Sequence, residues 1–279
     1  MPVLNARLLP VVMLLTGLGL ATGNASAAET DADGALYEPS ADPLADVQRA
    51  IAAAGAAERR ALVVLGANWC IDSRALAARL HQPPLADVIE EHYELVLVDV
   101  GYLERGRAVA LELGVAHYYA MPTVLIVDPA SGQLVDVDEH HMWGNAYSVS
   151  MSESLEYFEK WALSDSAPDP ASDSAQLEQL NARIDRFEGQ LADRVAAGYA
   201  VVGPMLAAYY AGNAPPEFRA SWNELRDFRM SIPGAIRELR EEAQRRVAAG
   251  EEDIELPFPE YPPLSWETGV SLSGHAARD

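Results

Sequence analysis

A single cysteine, Cys70, stands in a chain of 279 residues. An intrachain disulfide is therefore impossible, which excludes disulfide-stapled small domains and Cys-rich zinc sites. Basic residues are scarce as well: 20 Lys plus Arg oppose 42 Asp plus Glu, the net charge is −22, and Lys160 is the sole lysine. Binding a phosphate backbone needs a basic footprint, so nucleic acid is excluded as a partner. A Gly-rich phosphate loop and a serine-hydrolase nucleophile motif are also missing, and no cofactor is expected. What remains is 49% hydrophobic and 22% charged, with 19 Gly and 18 Pro, the composition of a globular protein of one or two domains.

The N-terminus sets the expected compartment. Arg7 precedes an apolar run over 8–20, and Asn24-Ala25-Ser26-Ala27 puts small residues where a signal peptidase reads. That run is too short to span a bilayer. Residues 1–27 are expected to be a signal peptide, with a periplasmic or secreted product that has no membrane attachment after cleavage. No cysteine follows the run, so a lipid anchor is not supported. Residues 28–40 are small, acidic and aperiodic, a flexible lead.

Asp42-Pro43 supplies an N-cap followed by proline at the first helical position, and Leu44, Val47 and Ile51 repeat at helical spacing up to Gly55. The segments 61–66 (ALVVLG), 94–100 (ELVLVDV) and 123–128 (TVLIVD) are short, β-branched and nearly continuous, the pattern of strands buried on both faces. Helices to cover them are expected at 73–80, resuming at 85–92 after Pro83-Pro84, and at 106–113, ended by Gly114. Residues 133–138 alternate and are expected to form an edge strand in a hairpin with the strand before. Ser150 with Glu153 forms a capping-box pattern for a helix through Leu155, Phe158 and Leu163.

Segment 164–174 holds no apolar residue larger than alanine or proline and reads as a linker. Beyond it, two stripes step by three and four. Leu177, Leu180, Ile184, Phe187, Leu191 and Val195 make the first, and Phe218, Trp222, Leu225, Phe228, Ile232, Ile236 and Leu239 make the second. The break at 212–216 (GNAPP) makes 175–250 an antiparallel helical hairpin. Its stripes, with Phe187, Trp222 and Phe228, read as core rather than as a partner-binding face. Pro204 and Pro233 are expected to kink or end these helices. Residues 251–279 are acidic and proline-rich, an extended tail.

Chemistry concentrates at Trp69-Cys70-Ile71-Asp72-Ser73, where the first strand passes into a helix. There the unpaired N–H groups and the positive end of the helix dipole favour thiolate over thiol. Ser73, three residues on, is expected to donate a hydrogen bond to that thiolate, and Asp72 to oppose it by like charge. Asp99 reads as a strand-end cap. His117, Tyr118 and Tyr119 read as packing before Met121-Pro122. His140, His141 and Met142, beside Trp143, read as a solvated loop, because neighbouring histidines point in different directions; no metal site is expected.

Three pieces in order, ALVVLGANWCIDSRALA, LVLVDVG and LGVAHYYAMPTVLIVDPASGQLV, resemble the thioredoxin family over about 60–140. The resemblance implies an α/β fold, a thioredoxin-like three-layer sandwich with a central mixed sheet over 41–163, followed by the C-terminal α-helical hairpin. It implies that Pro122 is cis and faces Cys70 and that the Met121 backbone pairs with a substrate chain; Trp69 reads either as a substrate-binding rim of the site or as packing. The chain departs from the family pattern in having Ser73 in place of a second cysteine, and Val64 where many members bury an acid. Both departures argue against a dithiol reductase. They leave monothiol exchange, in which Cys70 attacks a disulfide or a sulfenic acid and an external thiol releases it; the partners are then protein or small-molecule thiols and disulfides. The alternative is a redox-inactive peptide- or protein-binding module on the same fold. No oligomeric state is implied.

Overall fold

The computed structural model describes residues 36–136, 142–164 and 174–268. The expected signal peptide, most of the lead, segment 165–173, His140, His141 and residues 269–279 lie outside the described residues.

The fold begins with helix α1 (Pro43–Ala56), capped by the Asp42 carboxylate, which accepts from the Ala45 N–H at 3.0 Å. Strand β1 (Arg60–Gly66), helices α2 (Ile71–Leu80) and α3 (Leu85–His92), strand β2 (Tyr93–Asp99), helix α4 (Arg107–Glu112) and strand β3 (Thr123–Val127) follow. A 3₁₀ segment (Met142–Ser148) then leads into α5 (Met151–Leu163). The sheet order is β2-β1-β3. β1 runs parallel to β2, from Arg60↔Tyr93 to Gly66↔Asp99, and antiparallel to β3, from Ala61↔Val127 to Leu65↔Thr123. The sheet is therefore mixed.

Strand side chains alternate between two cores, because successive Cβ atoms point to opposite faces. Ala61, Val63 and Leu65 enter one core with Leu125 and Val127. It also holds Val47 and Ala54 of α1 and Val109 and Ala110 of α4. Leu62, Val64, Val124 and Ile126 enter the other, against Leu76 and Leu80 of α2, Ile89 of α3 and Phe158 of α5. Helices on both faces of a mixed sheet make three layers. Val64 is fully buried in this second core.

Of the expected edge strand over 133–138, the described part, 133–136, forms one bridge, Val127↔Leu134, and 137–138 lie outside the described residues. The Asp136 carboxylate accepts from the Ile126 N–H at 3.1 Å and from the Tyr157 hydroxyl at 2.5 Å. A carboxylate has thus taken a donor that a continuing ladder would use. The capping box at the start of α5 is complete, with Ser150 and Glu153 each accepting from the other's backbone N–H.

Two long helices follow, α6 (Ala175–Tyr210) and α7 (Phe218–Ala248). Both run on past Pro204 and Pro233 and do not end there. The buried residues flanking each proline, Val202 and Leu206 in α6 and Ile232 and Ile236 in α7, hold the turns in place by packing. Both helices join the core that contains α1 and α4. Gly203 shows how closely: a Cβ there would lie 2.3 Å from the Tyr102 carbonyl oxygen. Residues 251–264 run extended, bury Ile254, Leu256 and Leu264 in that same core, and end in the short α8 (Ser265–Thr268). Arg194 ties this tail to α6 through the Pro262 carbonyl at 2.7 Å and Glu267 at 2.5 Å.

Candidate active site

Cys70 is the N-cap of α2, with φ −86° and ψ 121°. Its backbone N–H donates to the Ala67 carbonyl at 3.1 Å, which closes the turn out of β1 and places the sulfur at the helix mouth. The side chain is half-buried, and its Sγ–H donates to the Met121 carbonyl at 3.5 Å. The Met121–Pro122 peptide is cis. Residues 51 apart in sequence thus meet at the sulfur.

Ser73 departs from expectation. Helix α2 starts at Ile71, and its buried stripe is Ser73, Leu76, Ala77 and Leu80. The helical period therefore turns Ser73 into the core while the N-cap side chain stays outside. Ser73 is fully buried, and the Tyr37 hydroxyl donates to its backbone carbonyl at 3.3 Å. It points toward Tyr37: a Cβ built on Gly66 would sit 2.8 Å from Ser73 Oγ and 2.6 Å from the Tyr37 hydroxyl oxygen. Asp72 is occupied too, its carboxylate accepting from the Tyr147 N–H at 2.9 Å.

Asn68 fixes the loop ahead of Cys70. Its Oδ1 accepts from the N–H groups of Leu36 (3.1 Å) and Tyr37 (3.0 Å), and its Nδ2 donates to the Tyr37 carbonyl at 2.7 Å. The Asn68 carbonyl accepts from Arg74 at 2.6 Å. Burial, followed by the proximity of Cys70, pushes the Tyr37 hydroxyl far above the ordinary tyrosine range. Trp69 donates its Nε1–H to the Gly101 carbonyl at 2.7 Å. Asp99 behaves as the expected cap, accepting from the Gly101 N–H at 3.1 Å and pairing with Arg105 at 2.9 Å. Burial is the largest influence on it and raises its carboxyl, while these two donors act the other way.

The helical hairpin builds the rest of the site. The Trp69 ring meets Trp222 of α7 edge-on at 6.0 Å and Tyr210 of α6 at 6.2 Å. Tyr199 of α6 donates to the Tyr118 carbonyl at 2.9 Å, and Arg229 of α7 donates to the Tyr119 carbonyl. His117 to Tyr119 are buried, as packing before Met121-Pro122 requires. Burial lowers the His117 imidazole to about 4, so it is neutral and its Nδ1–H donates to the Tyr118 carbonyl.

Trp69, Cys70, Met121, Tyr210, Trp222 and Arg229 line a cavity of about 520 Å³. None of the tail residues 251–268 lines it. Of the residues expected at the site, Trp69, Cys70 and Met121 line the cavity, and Pro122 follows Met121 through the cis peptide. Trp222 was legible only as a member of a core stripe, and Tyr210, Arg226 and Arg229 of the cavity wall carried no sequence signal. Phe187 packs on Phe258 of the tail, centroids 5.0 Å apart, and Phe228 is buried, as core residues should be. Met142 is exposed and Trp143 fully buried under α5; among the described residues no cluster of three metal-ligating side chains occurs.

A thiol at a helix N-cap, facing the peptide before a cis-proline beside a mixed sheet, defines the thioredoxin class of fold and site. The family model for thioredoxin-like proteins matches residues 42–129, and the chain belongs to that family. A solved structure of a disulphide isomerase from Xylella fastidiosa Temecula1 is 30% identical, covering 44% of this chain and 94% of that one, with a TM-score of 0.40. Among curated proteins none matches.

Proposed function

We propose that this chain is an exported thiol–disulfide exchange protein that works through Cys70 alone. The observation carrying the reading is the sulfur's position: half-buried, at the N-cap of α2, against the Met121 carbonyl and open to the cavity. A thiolate there attacks one sulfur of a disulfide, forms a mixed disulfide through Cys70, and expels the other sulfur as a thiolate. No second cysteine is present to resolve that bond, so an external thiol must release it. Ser73 contributes by holding α2 against the core and Trp69 by walling the cavity.

Export rests on Arg7, the apolar run after it and the small residues before Ala28. Among the described residues no helix is long and apolar enough to cross a membrane. Intact-mass analysis of the protein taken from its own compartment tests both parts. The expected species begins near Ala28 and carries, in a fraction of molecules, a thiol-reducible adduct on Cys70. Insulin reduction without added thiol should be weak. A retained N-terminus would refute export. A Cys70 that neither carries nor acquires an adduct would leave a peptide-binding module on the same fold.

A further inference from the structure

The cavity beside Cys70 has the opposite sign to the protein around it. The chain carries a net charge of −22, yet Arg74, Arg226 and Arg229 line this cavity against one acid, Asp72. Asp72 is already engaged by the Tyr147 N–H. Arg226 lies on the exposed side and pairs with its own neighbour Asp227 at 3.0 Å. Arg74 donates to the Asn68 carbonyl and has no carboxylate partner among the described residues.

Arg229 is the most telling of the three. It is only 7% exposed, its guanidinium meets two neutral groups, the Tyr119 carbonyl and the Tyr199 hydroxyl, and lies 5.9 Å from the Trp222 ring centroid, and no carboxylate pairs with it among the described residues. A guanidinium removed from water normally has a counter-ion, because desolvation is otherwise uncompensated. Here the wall of a cavity is where that counter-ion can enter. Guanidinium forks match carboxylates in shape as well as charge. The cavity, about 520 Å³, lies within the range of small-molecule sites, and Trp222 and Tyr210 form its wall on the hairpin side.

We infer that the partner of Cys70 in exchange is a small carboxylate-bearing thiol or its disulfide, held by its carboxylate on Arg229, Arg226 and Arg74 while its sulfur meets Cys70. This rests on the exchange reading above. The step balances without an outside oxidant. The Cys70 thiolate attacks RS–SR, the new Cys70–SR bond forms as the old S–S bond breaks, and RS⁻ leaves and takes a proton from water. A second RS⁻ then attacks the Cys70–SR bond, regenerating RS–SR and the free Cys70 thiolate.

Three disulfides of similar length test the inference on the full mature chain: 3,3′-dithiodipropionate, neutral bis(2-hydroxyethyl) disulfide and cationic cystamine. Rates of adduct formation are followed by intact mass at low ionic strength and normalised to the same disulfides reacting with N-acetylcysteinamide. A protein this acidic should favour cystamine from its overall field alone, so preference for the dicarboxylate reports the local site. The expected advantage of the dicarboxylate over the neutral disulfide is about tenfold, the equivalent of one charge-assisted hydrogen bond. It should vanish in the Arg74→Gln/Arg226→Gln double variant. Arg229→Lys keeps the charge and should keep a part of the advantage, whereas Arg229→Gln should abolish it.

Normalised rates that are equal, or highest for cystamine, would overturn the inference while leaving exchange intact. If Cys70 reacts with none of the three, the exchange reading falls. Calorimetry of 3,3′-dithiodipropionate with the Cys70→Ser protein then decides the anion site separately. Binding that is lost in the arginine variants supports it, and no binding overturns it.

Discussion

The Tyr210 hydroxyl, on the last turn of α6, donates to the Trp69 carbonyl at 3.0 Å across 141 residues of sequence. The residue next to the thiol is thereby tied to the hairpin, and Trp69 stands between Tyr210 and Trp222. In this molecule the hairpin forms part of the wall of the site.

Tyr210→Phe removes that tie and leaves the ring. A neutral, partly exposed hydrogen bond contributes about 1 kcal/mol, so chemical unfolding should shift only slightly. The Cys70 loop loses a brace, so alkylation of Cys70 by a bulky maleimide should accelerate about two- to fivefold, the range that roughly 0.5–1 kcal/mol allows. An unchanged rate would show that the hairpin does not restrain the loop.

Two glycines of α6 give opposite expectations for the same substitution. A Cβ on Gly203 would fall 2.3 Å from the Tyr102 carbonyl oxygen, a backbone atom that cannot swing aside, whereas one on Gly189 would meet nothing within 4 Å. Gly203→Ala should therefore destabilise by about 1–3 kcal/mol through overpacking. Gly189→Ala should stabilise by about 0.5–1 kcal/mol through helix propensity. Urea melts of the two variants check the pair, and equal shifts would contradict the observed hairpin docking.

Asn68→Ala strips three hydrogen bonds from the segment at Leu36 and Tyr37. The expected loss is about 2–4 kcal/mol. It should be accompanied by faster proteolysis ahead of α1 and a changed environment for Tyr37. Cleavage rates indistinguishable from wild type would show that Asn68 does not hold the segment down.

His117 sets a pH dependence. Its folded value lies near 4, below the ordinary 6.5, because burial disfavours the imidazolium. The unfolded state therefore binds more protons between these limits, and stability rises with pH across that window. The contribution is complete above about pH 6.5 and is lost as pH falls toward 4, by about 3 kcal/mol at most. His117→Asn, which can still donate to the Tyr118 carbonyl, should show a shallower decline of stability between pH 6.5 and 4. A parallel decline would assign the acid sensitivity to other groups.

Much of the frame was legible because its signals are local. Asp42-Pro43 and Ser150 with Glu153 encode caps within four residues, and the β-branched runs encode a sheet covered on both faces. The order of three motifs then located Cys70 opposite Met121-Pro122. Errors arose where a side chain answered to a distant partner. Asp136 bonds to Ile126 and Tyr157 and so takes with its side chain a backbone donor that alternation alone would assign to strand pairing. Ser73 looked like a ligand of the thiol because the spacing from Cys70 is right, but the helix starts at Ile71 and carries it inward. Arg229 could not be singled out among arginines by pattern, since its burial depends on how α7 lies against Tyr119.

The central claim is that the Cys70 sulfur completes a cycle of exchange. The most direct measurement follows the intact mass of the full mature chain after addition of 3,3′-dithiodipropionate and then of the matching thiol. The account predicts one added arm per molecule, absent from the Cys70→Ser protein, followed by return to the starting mass when the thiol is supplied. A Cys70 that remains unmodified throughout, in a protein shown to be folded, would contradict it.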